Sequence, residues 1–261
     1  MSPVRKALIF LGIFIIVLWS VTIFLITSNG DRIFSLHQNK PPQQHLTATW
    51  RCEIEEPNAG GKLSYFIFSP FYDFTSPSPI LVVIEGMHNP GQKIISNDLW
   101  RKFCLDNGCA LVVPEFHHDE EQWKNSQSFQ YPQIWSGEAL NRIFTKEAQR
   151  ANLDKSRVFI FGFSAGAQFA TRYALYAPKR TIAVAAHAAG SYTNPKEKIP
   201  TSFLISVGLQ DTNRIDGARQ FVQSCQNFHI DAELVEVPNL GHGLNHSVLS
   251  QATKFLADQM K

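Results

Sequence analysis

Six short apolar runs alternate with amphipathic stretches along the chain, and this alternation constrains the fold more than any other feature. The runs lie at 80–84, 110–113, 158–161, 182–186, 202–207 and 232–237. Apolar runs without polar alternation are typical of strands that are buried on both faces of a sheet. Amphipathic stretches that predict helices lie at 95–106, 136–151, 165–176, 216–227 and 247–261. The alternation predicts an α/β fold, a mostly parallel sheet with helices on both faces.

Two further β-like runs, 46–54 and 63–68, precede this pattern and predict an antiparallel hairpin. The segment between them contains Asn58-Ala59-Gly60-Gly61, which is typical of a hairpin loop. The sequence shows no internal repeat and no sign of a second domain. Because a chain of 261 residues is long enough for one large core, we expect residues 46–261 to form a single α/β domain.

The N-terminal region contains an uncharged apolar run of 21 residues at 7–27. A helix needs about 20 residues to cross the hydrocarbon core of a bilayer. A secretory signal peptide has a shorter apolar region of roughly 7–15 residues and a small-x-small cleavage site, which this region lacks. We therefore predict that residues 1–30 form an uncleaved signal anchor, with a cleaved signal peptide as the less favoured alternative. Residues 31–45 are polar, include Pro41-Pro42, and are predicted to be a linker.

Charge predicts the topology of this anchor and excludes one class of partner. Arg5 and Lys6 precede the apolar run, so the positive-inside rule places the N-terminus in the cytoplasm and the domain in the periplasm or outside the cell. The chain has 24 Lys and Arg against 22 Asp and Glu, and Arg5 and Lys6 account for the excess. A neutral domain has no basic field for a polyanion, so nucleic acid is excluded as a partner.

The four cysteines follow the predicted anchor, in a compartment where disulfides persist. They are Cys52, Cys104, Cys109 and Cys225. Three full pairings are open, and closeness in sequence favours the pair Cys104 and Cys109. No cysteine or histidine spacing predicts zinc, and the adjacent His117, His118 and Asp119 do not converge easily on one ion. No metal site is therefore predicted, and the sequence does not indicate the oligomeric state.

Three reactive side chains follow three of the predicted strands. Ser164 lies in Gly162-Phe163-Ser164-Ala165-Gly166 after the fifth strand, Asp211 follows the seventh, and His242 follows the eighth between two glycines. Singly, each has an ordinary structural explanation: a tight turn, a helix N-cap, or a solvated loop residue. Together, the chain order Ser, Asp, His is that of a nucleophile with its acid and base. His246 and Asp216 are the nearest alternatives, but both fall at predicted helix positions and are interpreted as capping or surface residues.

These segments resemble a known superfamily. RVFIFGFSAGAQFATRYALYAP, SVGLQDTNR and VEVPNLGHGLN are similar to the nucleophile elbow, acid loop and histidine loop of α/β-hydrolases. The elbow and the later AAHAAGSY are most similar to the branch of polyhydroxybutyrate depolymerases and feruloyl esterases. The resemblance covers about residue 80 to the C-terminus and implies carboxylic ester hydrolysis without a metal or organic cofactor. It also implies that Ser164 is the nucleophile, His242 the general base and then acid, and Asp211 the residue that orients His242.

The resemblance further implies two backbone donors for an oxyanion, the N–H groups of Met87 and Ala165. Family members commonly carry His-Gly in the loop after the third strand, whereas this chain has Glu85-Gly86-Met87. Donation by a backbone N–H does not depend on the side chain, so Met87 remains the predicted donor. Glu85 is predicted either to form an ion pair within the loop or to be a partly solvated carboxylate at the strand end.

Two loops bear on the substrate. The segment 115–135 is long and aromatic, and the predicted substrate-binding residues are His88, Trp123, Tyr131 and Trp135. Core packing is an equal alternative for the aromatic residues. The segment 189–200 is short where many hydrolases insert a cap domain, so we expect no large cap and an open site for bulky or polymer-attached esters. A serine peptidase or thioesterase uses the same triad, and a catalytically silent binding module is a third alternative.

The predicted topology is testable by protease protection. With a C-terminal epitope tag on the full chain, protease added to cells whose cytoplasmic membrane is intact, after removal of any outer membrane, should remove the tag, because the domain is predicted to lie beyond the cytoplasmic membrane. A cytoplasmic marker protein in the same cells should stay intact. A tag that survives until the membrane is permeabilised would refute the predicted orientation.

Overall fold

The computed structural model of the chain describes residues 46–71, 76–87, 90–148 and 150–261. The predicted anchor at 7–27, the predicted linker and His88 all lie outside the described residues. Within the described ranges, no helix is both long and apolar enough to cross a membrane.

The described residues form an eight-stranded sheet in the order β1-β2-β4-β3-β5-β6-β7-β8. β1 and β2 pair antiparallel, β2 pairs antiparallel with β4, and the strands from β3 to β8 pair in parallel. This arrangement confirms the predicted parallel sheet entered through a hairpin. The strands are β1 (Leu46–Glu56), β2 (Gly61–Phe71), β3 (Ser78–Glu85), β4 (Ala110–Pro114), β5 (Leu153–Phe163), β6 (Thr181–His187), β7 (Ser202–Gly208) and β8 (Ala232–Val237).

Seven α-helices connect or follow these strands in the described ranges. They are α1 (Gly91–Ile95), α2 (Asp98–Asn107), α3 (Glu120–Lys124), α4 (Ser136–Glu147), α5 (Ala165–Tyr176), α6 (Thr212–Asn227) and α7 (His246–Met260). The helix predicted at 95–106 corresponds to α2 and begins three residues later, at Asp98, whereas the separate short helix α1 ends at Ile95. Asn97 caps α2 by accepting a hydrogen bond from the N–H of Leu99 at 2.9 Å. The short helix α3 lies in a segment predicted to be loop, and α6 begins four residues before its predicted start.

The core consists of two apolar layers, one on each face of the sheet. β3 contributes to both layers, since Ile80, Val82 and Ile84 face one and Leu81 and Val83 face the other. The first layer also contains residues of α4, α5 and α6, whereas the second contains residues of α1, α2 and α7: Leu140, Phe169 and Phe221 in the first, and Ile94, Trp100 and Leu256 in the second. Burial on both faces explains why the parallel strands are apolar without alternation.

Glycines bring α5 against the ends of β3 and β5. A Cβ at Gly166 would overlap the carbonyl oxygen of Ile84, and a Cβ at Gly162 would lie 2.5 Å from the carbonyl oxygen of Gly166. Only glycine permits this separation between helix and strand. The turn between β5 and α5 is therefore held directly beside the loop that follows β3.

The four cysteines are free in the structure. Cys104 and Cys109 are both buried at the end of α2, where the N–H of Cys109 donates to the carbonyl of Cys104 at 3.1 Å. Burial raises the pKa of the Cys104 thiol and keeps it protonated. The favoured Cys104–Cys109 disulfide is therefore not formed in this structure.

Two helical glycines provide a matched test of this packing. We expect Gly166→Ala to lower the free energy of unfolding by about 2–3 kcal/mol, because its methyl group forces α5 away from β3. Gly217→Ala in α6 places the methyl 3.6 Å from the Tyr192 ring, an ordinary contact, and should be neutral or stabilising by about 0.5–1 kcal/mol. Urea unfolding followed by circular dichroism measures both, and equal midpoints would contradict the close contact.

Candidate active site

Ser164 lies on the turn between β5 and α5, in a backbone conformation that is unusual for a residue other than glycine. Its φ is 55° and its ψ is −114°, a strained combination. Both of its backbone groups are held: its N–H donates to the carbonyl of His187 at 2.9 Å, and its carbonyl accepts from Gln168 at 3.1 Å. These bonds stabilise the turn, which places Ser164 at the carboxyl edge of the sheet.

The structure brings Ser164, His242 and Asp211 into one hydrogen-bonded series. Nε2 of His242 lies 3.0 Å from Oγ of Ser164, and Nδ1 of His242 lies 2.9 Å from Oδ2 of Asp211. Asp211 precedes α6, but its carboxylate makes no capping bond to that helix. The two alternatives are elsewhere: His246 is the first residue of α7, and Asp216 is exposed on α6.

The environment of Asp211 keeps its carboxyl group ionised. Burial raises the pKa of Asp211, but hydrogen bonds from Arg214 and His242 outweigh burial and hold the pKa below its usual value. The Arg214 bond is 2.8 Å long and involves a nearly buried carboxylate. Because an ionised carboxylate only accepts hydrogen bonds, Nδ1 of His242 carries a proton and Nε2 is free to accept one from Ser164.

The histidine loop is held against the acid loop. The N–H of Gln210 donates to the carbonyl of Leu240 at 2.8 Å, and a Cβ at Gly208 would overlap the same carbonyl oxygen. The Phe163 ring stacks on the His242 ring with 5.1 Å between centroids. The loops after β5, β7 and β8 therefore meet at one point, although up to 78 positions separate their residues in sequence.

His187, at the end of β6, belongs to this site and was not singled out from the sequence. Its side chain is buried, with Nδ1 2.8 Å from Oγ of Ser206 and Nε2 3.0 Å from the carbonyl oxygen of Gly243. Burial lowers the pKa of His187 to about 4, so its ring is neutral at physiological pH. The available sequence signal was a polar residue directly after an apolar strand, within the AAHAAGSY segment.

The loop after β3 lies beside the turn that carries Ser164. The N–H of Gly86 donates to the carbonyl of Phe163 at 2.9 Å, and the carbonyl of Met87 accepts from the N–H of His118 at 2.9 Å. Ala165 is the first residue of α5, where backbone N–H groups are unpaired within the helix. Glu85 is partly buried, and burial raises its pKa against the opposing charge of Lys93.

The predicted substrate-binding aromatic residues separate into two environments. Trp123 and Tyr131 are partly exposed and stack with 5.8 Å between centroids, and the His118 ring lies 6.2 Å from Trp123. Trp135 instead lies in the core at 6% exposure, edge-on to Phe116. Its indole N–H donates to the backbone carbonyl of residue 127 at 2.8 Å. The prediction that Trp135 contacts substrate is therefore corrected to a packing role, because neighbouring side chains cover its faces.

Arg172 connects the two loops that were predicted to border the substrate. This buried residue of α5 donates to the carbonyl of Gln130 at 3.0 Å, to Ser191 at 2.8 Å and to Thr193 at 3.2 Å. Its guanidinium also lies over the Tyr131 ring, 4.5 Å from the centroid. The sequence pattern of α5 contained no signal for this role.

The fold and the Ser-His-Asp series together define an α/β-hydrolase. Residues 75–254 match the dienelactone hydrolase family, and the chain belongs to that family. No curated protein matches the chain in sequence. The predicted resemblance to the α/β-hydrolase superfamily is confirmed, as is the predicted enzyme class, a serine hydrolase of carboxylic esters.

Solved structures show the same fold at low sequence identity. A ferulic acid esterase has a TM-score of 0.65 and 15% identity, over 84% of this chain and 100% of that chain. S-formylglutathione hydrolase from Staphylococcus aureus has a TM-score of 0.63 and 16% identity, over 85% and 99%. A ferulic acid esterase from Anaeromyces mucronatus has a TM-score of 0.63 and 14% identity, over 85% and 94%.

The buried neutral state of His187 predicts a pH dependence of stability. The folded-state pKa of about 4 is below the ordinary 6.5, so the unfolded chain binds a proton more readily. The stability is therefore complete above about pH 7 and falls as the pH drops from 6.5 towards 4. Relative to His187→Gln, which cannot titrate, the wild type should lose about 3 kcal/mol between pH 7 and 4. Parallel pH dependences in urea unfolding would contradict a neutral His187.

Proposed function

We propose that this chain is a membrane-anchored serine esterase whose catalytic domain lies outside the cytoplasm. The observation that carries the catalytic part is the hydrogen-bonded series from Asp211 through His242 to Ser164 at the carboxyl edge of the sheet. Ligand sites of such sheets lie at this edge. The anchor at 7–27 and the orientation with a cytoplasmic N-terminus rest on the apolar run and on Arg5 and Lys6.

In the first step, Oγ of Ser164 attacks the acyl carbon of the ester while Nε2 of His242 takes the hydroxyl proton. The carbonyl oxygen of the substrate becomes an oxyanion. The N–H groups of Ala165 and Met87 donate to it, and the N-terminus of α5 adds a favourable dipole. The anchoring of the Gly86-Met87 segment on Phe163 and His118 supports this role, since a donor held in place needs no rearrangement during the reaction.

In the second step, the imidazolium of His242 gives its proton to the leaving alcohol, and the C–O bond of the ester breaks. The acyl group remains on Ser164. Water then attacks this acyl-enzyme with His242 again as base, which releases the carboxylic acid and restores the hydroxyl of Ser164. Throughout both halves, the ionised Asp211 holds the imidazole in the required tautomer and stabilises the imidazolium.

The surroundings of the site favour bulky esters. The connection between β6 and β7, residues 188–201, contains no helix, so no cap is inserted there. Met87 is 47% exposed, and its carbonyl contacts the segment that carries the stacked Trp123 and Tyr131. We propose that this apolar and aromatic wall binds the acyl group or an aromatic substituent of the substrate.

A thioester is the second candidate substrate. The same triad cleaves thioesters, and one of the similar structures is an S-formylglutathione hydrolase. The leaving group distinguishes the candidates, because His242 protonates an alkoxide in an ester, a thiolate in a thioester and an amine in a peptide. A catalytically silent binding module would cleave none of these.

A serine-directed fluorophosphonate tests the proposed nucleophile. The full-length chain, purified in mild detergent, should be labelled, and Ser164→Ala should abolish the labelling because the reactive hydroxyl is removed. Ser250→Ala, at an exposed serine of α7, is the matched control and should be labelled like the wild type. Equal labelling of the wild type and Ser164→Ala would overturn the proposal.

Turnover of the same preparations then assigns the substrate class. We expect acyl and feruloyl esters to be cleaved with kcat/KM at least about 100-fold above peptide anilides, with thioesters measured alongside, because amide resonance makes the acyl carbon of an anilide less electrophilic and its nitrogen a poorer leaving group than an ester oxygen. Comparable cleavage of anilides would favour a peptidase. Labelling without turnover of any of the three classes would contradict the proposed esterase.

A further inference from the structure

We propose that His187 is a positioning residue that holds the histidine loop, and through it His242, in the reactive arrangement. This inference rests on the proposed function, because it concerns the orientation of the proposed general base. The side-chain hydrogen bonds of His187 join it to Ser206 and Gly243. It acts through the carbonyl group of Gly243 and through the backbone of the nucleophile turn.

The histidine loop needs contacts with other parts of the domain, because the glycines in its own sequence do little to restrict its backbone conformation. Gly241 and Gly243 flank His242, and a Cβ at either glycine would meet no atom within 4 Å. Neither glycine therefore has a side chain that could pack against the rest of the domain and hold the base in place. Glycine also has more accessible conformations than any other residue, so the order of this loop depends on hydrogen bonds.

Two carbonyl groups, one on each side of His242, are anchored by residues outside the loop. The upstream carbonyl belongs to Leu240 and accepts from the backbone N–H of Gln210 at 2.8 Å. The downstream carbonyl belongs to Gly243 and lies 3.0 Å from Nε2 of His187. The first anchor is independent of side-chain identity, whereas the second depends entirely on the imidazole of His187.

The tautomer of His187 follows from its partners. A carbonyl oxygen only accepts hydrogen bonds, so Nε2 carries the proton that is donated to Gly243. Nδ1 is then an acceptor, and the hydroxyl of Ser206 donates a hydrogen bond to it at 2.8 Å. The carbonyl of Ser206 also accepts the N–H of Ala188 at 2.9 Å, so one residue of β7 orients both the ring of His187 and the backbone that follows it.

The backbone of His187 extends the same role to the nucleophile. Its carbonyl accepts the N–H of Ser164 at 2.9 Å, which helps to hold the strained turn. The Phe163 ring stacks with both histidine rings, with centroids 5.9 Å from His187 and 5.1 Å from His242 and interplanar angles of 19° and 27°. His187 is thus connected by separate contacts to the nucleophile and to the loop that carries the base.

Neutrality makes His187 suitable for a place so near the base. Burial is the main reason that its pKa falls to about 4, and the nearby His242 contributes to this lowering, whereas the hydrogen bond to Gly243 opposes it. A neutral imidazole therefore donates its hydrogen bond without adding a positive charge beside the imidazolium that forms during the reaction. A lysine or arginine at the same position would oppose that imidazolium.

Substitutions of His187 on the full-length chain test this inference. His187→Phe keeps an aromatic ring but cannot donate to Gly243, and we expect kcat to fall about 10- to 100-fold with KM changed less than about threefold, because a misplaced base slows only the chemical steps. His187→Gln retains a donor near the position of Nε2 and should remain within about threefold to fivefold of the wild type. His246→Gln, at an exposed histidine of α7, is the control and should be unchanged.

A second readout does not depend on any substrate. In the wild type, the proton on Nδ1 of His242, bonded to Asp211, should give a slowly exchanging imidazole signal in NMR spectra. We expect the signal to be lost in His187→Phe and retained in His187→Gln. Ser206→Ala leaves the His187 ring in place but removes the hydrogen bond that fixes its tautomer. This change should weaken the NMR signal and lower the rate of fluorophosphonate labelling about threefold to tenfold. This variant supplies the test if His187→Phe does not fold.

The outcomes separate the inference from the proposed function. If the wild type is neither labelled at Ser164 nor active on esters, the proposed function fails. The NMR signals of His187→Phe and His187→Gln then test by themselves whether His187 orders the loop. If the wild type is active but folded His187→Phe matches it in kcat and NMR signal, the inference about His187 fails. Equal losses in His187→Phe and His187→Gln would also overturn it, because they would indicate packing rather than hydrogen bonding.

Discussion

The close contact between α5 and the ends of β3 and β5 is the constraint on which the rest of the site depends. Because Gly162 and Gly166 lack side chains, the helix begins directly beside the carbonyl of Ile84. Ser164 lies on the turn at this contact in a strained conformation, with φ of 55°, and the first N–H groups of α5 lie next to the loop after β3. Ser164, the helix N-terminus and the Gly86-Met87 segment are therefore brought together by packing of the core, before any polar contact is considered.

Polar contacts then fix the loops that the packing brings near one another. Backbone groups supply some of these contacts, and three side chains supply others: Arg214 holds Asp211, His187 holds the histidine loop, and Arg172 joins the segments 115–135 and 189–200. A buried donor without a partner costs about 1–3 kcal/mol, so such residues favour one arrangement of the loops over alternatives. This is how a site made of flexible connections acquires the fixed distances that catalysis requires.

The fold is shared with an esterase at about 15% identity because the core and the site restrict the sequence in different ways. Two-sided burial of parallel strands requires apolar residues of suitable volume, and many sequences satisfy it. The site requires particular residues at few positions, which are the ends of β5, β7 and β8 and the loop after β3. The segments that border the substrate carry neither restriction, so family membership defines the chemistry more closely than it defines the ester.

The sequence by itself determined where the strands lie along the chain, because strands buried on both faces and tight turns each leave a local pattern. The positions of the strands in turn predicted the loops that carry Ser164, Asp211 and His242. The sequence did not reveal the short helices α1 and α3, the buried position of Trp135 or the free state of Cys104 and Cys109. Nor did it reveal His187 and Arg172 as contacts of the loops. These features depend on which residues distant in sequence become neighbours, and only the tertiary structure decides that, since a polar side chain has the same local pattern whether its partner is water or a carbonyl 56 positions away.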